Sequence, residues 1–137
     1  MYKAPQSPQI AELTWSGSAT TTPFTYSVSI DQQTTSFLTV TSGTDIDLPS
    51  GHYYAIAYPD YTRSASSDTN QIYWHLDGSQ IGKVGGSDFN GGLNTDNAEA
   101  AFTSLSTATL TLQQTSLSGS ALTLTSDCRI IIMRVPL

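Results

Sequence analysis

The feature that most constrains this chain is a two-residue rhythm that keeps stopping and restarting. In "NQIYWHLD", residues 70–77, Ile72, Trp74 and Leu76 share one side and Tyr73, His75 and Asp77 the other. "TATLTLQQ" sets Leu110 and Leu112 against Thr109 and Thr111, and "ALTLT" does the same with Leu122 and Leu124. Period two puts successive side chains on opposite faces of a strand, which suits a sheet with one dry and one wetter face. Each run soon meets a cluster of turn residues, such as "SGSATTTP", "LPSG", "PDYTRSASSDT", "GGSDFNGGLNTD" or "SLSGS". Gly, Pro, Asn, Asp and Ser supply the dihedrals and local hydrogen bonds that chain reversals require. Helical apolar spacing is nowhere sustained. "NAEAAFTSL", 97–105, has helix-forming residues but is short, and reads as a strand or a single turn.

Strands are expected near 9–15, 24–31, 36–41, 44–48, 52–59, 70–77, 80–84, 98–104, 107–114, 121–125 and 128–135. About ten short strands without helices predict an all-β sandwich or barrel. Asp77-Gly78 in "LDGSQIGKV" marks a tight hairpin. "CRIIIMRV", 128–135, is apolar on both faces, as in a strand that is central in a sandwich or pressed against another chain. Ser and Thr together make up more than a quarter of the 137 residues, while charged residues make up 12%. Such a surface is solubilised by hydroxyls more than by charge. The net charge is -6, and the five cationic residues, Lys3, Arg63, Lys83, Arg129 and Arg134, form no stripe. A nucleic-acid partner is therefore not expected.

Cys128 is the only cysteine, so there is no internal disulfide, and its apolar neighbours predict a buried, inert thiol. "MYKAPQSPQIAEL" lacks the apolar stretch of a signal peptide, and no run nears the roughly 20 apolar residues that span a bilayer. The chain is expected to be a complete small protein made in a cytoplasm, with no membrane partner.

The order "LPSGHYYAIAYPDY", "NQIYWHLDGSQIGKVG", a Gly-rich loop, "AEAAFTSL", "TATLTLQQTSLSG" and a closing "CRIIIMRV" resembles a recurrent module of phage structural proteins. The resemblance covers roughly residues 48–135 and rests on strand order and turn placement. Residues 1–47 and the loop at 85–96 depart from it. It implies a jelly-roll sandwich of roughly eight to ten antiparallel strands, like those of the tumour-necrosis-factor (TNF) and C1q group, which assemble as trimers.

Catalytic chemistry finds little purchase. His52 follows a turn glycine, His75 alternates with Trp74 and Leu76, and "SLSGS" at 116–120 is no nucleophile elbow. Asp77, Asp88, Asp96 and Asp127 fall mostly in turns, where Asp is at home. Asp77, Asp88, Asn90, Asp96 and Asn97 offer oxygen ligands at no calcium-loop spacing. No enzyme, metal or cofactor is expected. Trp74, Tyr73, Tyr58, Tyr61 and Phe89 suit sugar stacking but are also the usual filling of sandwich cores and subunit contacts.

The expectation is one jelly-roll domain over 16–137, preceded by residues 1–15 as an extended N-terminal arm or a first strand. The resemblance implies a decoration (cement) protein on the capsid exterior of a tailed phage, binding the major capsid protein as a homotrimer and stabilising the shell. Tyr2, Ile10, Leu13 and Trp15 are the candidates for capsid attachment, and Tyr54, Tyr73, Ile131 and Met133 for trimer contact. The alternative is a receptor- or glycan-binding fibre head that meets a host surface glycan through Tyr58, Tyr61, Arg63 and Phe89.

Overall fold

The computed structural model describes residues 7–18, 20, 22–62, 69–89, 93–119 and 123–137, with backbone only at 88, 89, 93 and 94. All its regular structure is β. The strands are β1 (Gln9–Ser16), β2 (Phe24–Thr25), β3 (Ser27–Gln33), β4 (Thr39–Thr41), β5 (Asp45–Leu48), β6 (Gly51–Tyr58) and β7 (Tyr61–Thr62). They continue as β8 (Thr69–Leu76), β9 (Ser79–Phe89), β10 (Leu93–Asp96), β11 (Ala98–Ser104), β12 (Ala108–Ser118), β13 (Thr123–Leu124) and β14 (Arg129–Val135).

Ten of them form two layers. The first sheet runs β3-β1-β14-β6-β11 and the second β9-β8-β12-β5-β4, every pairing antiparallel. The layers meet along both sides. β9 pairs with β8 and also touches β11 at Lys83↔Glu99. On the other side β2 lies on β12, the chain bends at Tyr26, and β3 joins β1. There the Val28 N–H donates to the Gly43 carbonyl at 2.8 Å.

The inward residues obey the alternation. Ala11, Leu13 and Trp15 of β1, Ala55 and Ala57 of β6, Ala98 and Ala100 of β11, and Ile130 and Ile132 of β14 face Ile46, Leu48, Ile72, Trp74, Leu110 and Leu112. The alanines leave room for the indoles. Trp74 Nε1 donates to the Ala98 carbonyl across the layers at 3.0 Å, and Trp15 Nε1 to that of Arg129 at 3.0 Å. Emptying so large and fully buried a site costs about 3–5 kcal/mol.

β9 continues through a segment that its glycines mark as loop. At Gly85 a Cβ would sit 2.4 Å from the Ala98 nitrogen, and at Gly86 2.5 Å from the Asn70 carbonyl oxygen. Only glycine lets this strand press against its neighbours so closely. Residues 86–89 and 93–96 thus pair antiparallel, with Asp96 opposite Gly86. The segment with helix-forming residues is β11. At the β8–β9 turn Asp77 and Gly78 both have positive φ, 48° and 85°, as a two-residue hairpin of this type demands.

Candidate functional site

The outward residues of the first sheet lie in cross-strand rows. Ile10, Met133, Tyr54 and Ala101 form one row across β1, β14, β6 and β11. Glu12, Ile131, Ile56 and Glu99 form the next. Thr14, Arg129 and Tyr58 follow on one side, and Val135, His52 and Thr103 on the other. The middle is apolar. Ile10 and Val135 are each 42% exposed, and Tyr54, Ile56, Ile131 and Met133 are half-buried.

Charge is kept to the margins of this face. Arg129 lies 3.5 Å from Asp31 and 3.9 Å from Glu12 on the β3 side. Glu99 accepts the Tyr54 hydroxyl at 3.2 Å on the β11 side. A hollow of about 270 Å³ between β1 and β3 is lined by Ile10, Ile131, Glu12, Gln32, Gln33 and Thr34. An apolar centre within a polar rim is the anatomy of a protein interface.

The second sheet turns a different surface outward. Thr109, Asp47 and Thr39 make one row and Thr111, His75 and Gln80 another, while Tyr73 stands opposite Gln113. Asp47 is bracketed by hydroxyls. Thr109 Oγ1 donates to its Oδ1 at 3.2 Å, and Thr41 Oγ1 donates to its Oδ2. Asp77 accepts the Thr109 N–H at 2.9 Å. Beside them opens a cleft of about 440 Å³ whose lining includes Phe37, Leu48 and Pro49.

Between the sheets, at the end away from this cleft, lies a buried polar cluster. Asn70 Nδ2 donates to the Tyr61 hydroxyl at 3.0 Å and to Gln114 Oε1 at 3.1 Å. The Tyr26 hydroxyl donates to the same Gln114 oxygen at 3.3 Å, and the Ser87 N–H to Asn70 Oδ1 at 2.8 Å. Burial pushes the Tyr26 and Tyr61 hydroxyls far above the ordinary phenol range. These groups satisfy one another, so the cluster fixes register where β8 and β12 slip past a bulge.

The candidate residues separate accordingly. Leu13 and Trp15 point into the core, 0% and 2% exposed, so their side chains are not available for attachment; β1 is a first strand in mid-sheet. Ile10, one residue out of phase, is outward. Tyr2 lies outside the described residues. Tyr54, Ile131 and Met133 come together on the outer face of the first sheet, whereas Tyr73 sits on the second. Ile56 and Val135 complete the patch, and the alternation of β6 and β14 was the signal that could have found them.

Of the proposed ligand loop, Tyr58 is exposed at the end of β6 and Tyr61 is tied down by Asn70. Arg63 lies outside the described residues, and only the backbone of Phe89 is described. His52 Nδ1 pairs with the Thr103 hydroxyl at 2.9 Å, and His75, expected on a wetter face, is 8% exposed with Nδ1 3.3 Å from the Tyr73 carbonyl. Cys128 is fully buried and bonded to the backbone of Asp60; burial pushes its thiol up. Among the described residues, no three His, Cys, Asp or Glu side chains gather as a metal site.

This architecture defines an all-β protein with a TNF-like jelly roll. Among solved structures it is similar to murine APRIL. Its crystal structure at pH 8.0 superposes with a TM-score of 0.65 at 9% identity, over 94% of this chain and 99% of that one. The pH 8.5 structure gives 0.65 at 8% identity, over 94% and 100%. The pH 5.0 structure gives 0.58 at 10% identity, over 94% and 99%. Likeness at such identities is a likeness of fold. No protein-family model matches the chain, and no curated protein does.

Proposed function

We propose that this protein is a virion structural protein: a homotrimeric decoration protein that binds the major capsid protein on the outside of a tailed-phage capsid and stabilises the shell. The observation that carries the reading is the outer face of the first sheet. Ile10, Tyr54, Ile56, Ile131 and Met133 form one continuous apolar patch with charges only at its rim. A monomer has no use for such a patch, and threefold packing hides it in every copy. The resemblance of residues 48–135 to phage structural modules, and a hydroxyl-rich exterior of low charge, support placing many copies side by side. The role is assembly rather than turnover.

Exposed Tyr58 favours a second reading, a receptor- or glycan-binding fibre head. Two assays on purified protein divide them. A decoration protein scatters light with three times the 14.6 kDa chain mass, binds stripped particles and restores their resistance to heat. Protein that blocks adsorption to host cells while leaving particle stability unchanged overturns the capsid reading. A monomer mass at micromolar concentration overturns the trimer.

A further inference from the structure

The cleft on the second sheet has features the self-association face lacks. Its floor includes Phe37, Leu48 and Pro49, so it offers apolar wall to an aliphatic stem. Its polar side is acidic. Asp47 and Asp77 lie on either side of Thr109, one accepting from its hydroxyl and the other from its N–H. Among the described residues, no lysine or arginine lines the cleft, and the ion pairs belong to Arg129, on the other sheet. Arg134 is committed to the Ser50 carbonyl and Gln9. Lys83 stands opposite Glu99 at the junction of the sheets. Among the described residues, two carboxylates thus face an apolar-floored cleft with no cation beside them, in a chain of net charge -6.

We infer that this cleft is a docking site for a lysine side chain of a partner protein, with its methylene stem over Phe37, Leu48 and Pro49 and its ammonium beside Thr109, between Asp47 and Asp77. A volume of about 440 Å³ is within the range of sites that take a side chain and its flanking backbone. Charge complementarity selects a cation over a neutral group. The arrangement of acceptors selects lysine over arginine. Asp47 accepts a threonine hydroxyl at each oxygen and Asp77 accepts the Thr109 N–H at one, so neither carboxylate has two unengaged oxygens for a bidentate guanidinium, while each oxygen keeps a lone pair for a single further donor. A compact ammonium with three rotatable donors suits separate points of negative charge. The inference does not depend on the partner's being a capsid.

The test is an NMR titration of the full chain with two capped tripeptides, acetyl-Gly-Lys-Gly-amide and its norleucine counterpart, which keeps the stem and lacks the ammonium. The lysine peptide is expected to move the amides of Phe37, Asp47, Asp77 and Thr109. It should bind about three- to tenfold more tightly than the norleucine peptide, as one or two partly exposed charge pairs allow. The advantage should vanish at about 0.5 M salt, where screening is nearly complete. The double variant Asp47→Asn with Asp77→Asn keeps the side-chain shapes and should bind both peptides alike. Equal binding of the two peptides to the unaltered protein overturns the inference, as do shifts confined to other residues. A neutral oligosaccharide that moves these amides when the lysine peptide does not assigns the cleft to a sugar and overturns it too. If the double variant does not fold, the two-peptide comparison decides alone.

Discussion

The two outer faces of the sandwich are built by the same backbone rule and look nothing alike. The first sheet turns Ile10, Tyr54, Ile56, Ile131 and Met133 outward; the second turns Thr39, Asp47, Thr109, Thr111 and Gln113 outward. Inner faces are forced to be apolar by folding itself. Outer faces are not, so a difference between them records what each has to meet. One is apolar at its centre and the other is mostly polar. β14 shows the contrast within a single strand, with Ile130 and Ile132 fully buried and the alternating Ile131 and Met133 left half-exposed. The second sheet covers only one side of this mid-sheet strand, and the proposed self-association would cover the other.

Matched substitutions on the two faces should give the widest separation. Ile131→Asp puts an unpaired charge in the proposed contact, which costs an interface about 3–5 kcal/mol and should reduce the mass in light scattering to that of the monomer. Far-UV circular dichroism should remain that of a β protein. Gln71→Asp on the exposed side of β8 should leave both readings unchanged. A trimer that survives Ile131→Asp means the faces do not differ in the way described.

A smaller effect comes from paired tyrosines. Tyr54→Ala should weaken association by about 1–2 kcal/mol, roughly tenfold, as for an aromatic near an interface centre. Tyr73→Ala, on the other sheet, should leave it unaltered. Sedimentation at several concentrations reads both, and equal effects would return Tyr73 to the contact.

The interior common to both faces makes its own prediction. In the folded chain Tyr26 and Tyr61 hold their protons well above the phenol range because burial disfavours the phenolate. Their contribution to stability is therefore complete below pH about 10 and is lost as pH rises beyond it. Absorbance near 295 nm should show these two ionising only together with unfolding. Ionisation of all seven tyrosines in one step with the fold intact would contradict the buried cluster.

The smallest effect belongs to the rim. Asp31→Asn removes an exposed partner of Arg129 and should change stability or association by less than about 0.5 kcal/mol. Thermal unfolding at low and high salt measures it.

Much of the fold was legible because it is local. Alternation and turn clusters placed β1, β5, β6, β8, β11 and β14 within a residue or two of their observed ends. The hairpin at Asp77-Gly78 was legible because its dihedrals select those residues. What was not legible was not local. Gly85 and Gly86 read as loop because their reason lies across the sheet, in the backbone of Ala98 and Asn70. Tyr73 was grouped with Tyr54 because both are outward aromatics on apolar strands, and nothing in a strand's own residues states which sheet it joins. Leu13 and Trp15 were grouped with Ile10 by hydrophobicity alone, although the period of two within "QIAELTWS" already put them on opposite sides.

The pairing of β1 with β14 sets a clock on assembly. Gln9 lies opposite Arg134 and Thr14 opposite Arg129, so the middle of the first sheet joins segments more than a hundred residues apart. Contacts of such separation form late and slowly. On a ribosome, which adds residues one at a time from the N-terminus, β1 has no β14 to pair with until nearly the whole domain has been made. The patch that contains Ile10, Ile131 and Met133 does not exist on a nascent chain. It appears only when the domain is finished, so any association through it, as proposed above, is confined to completed domains.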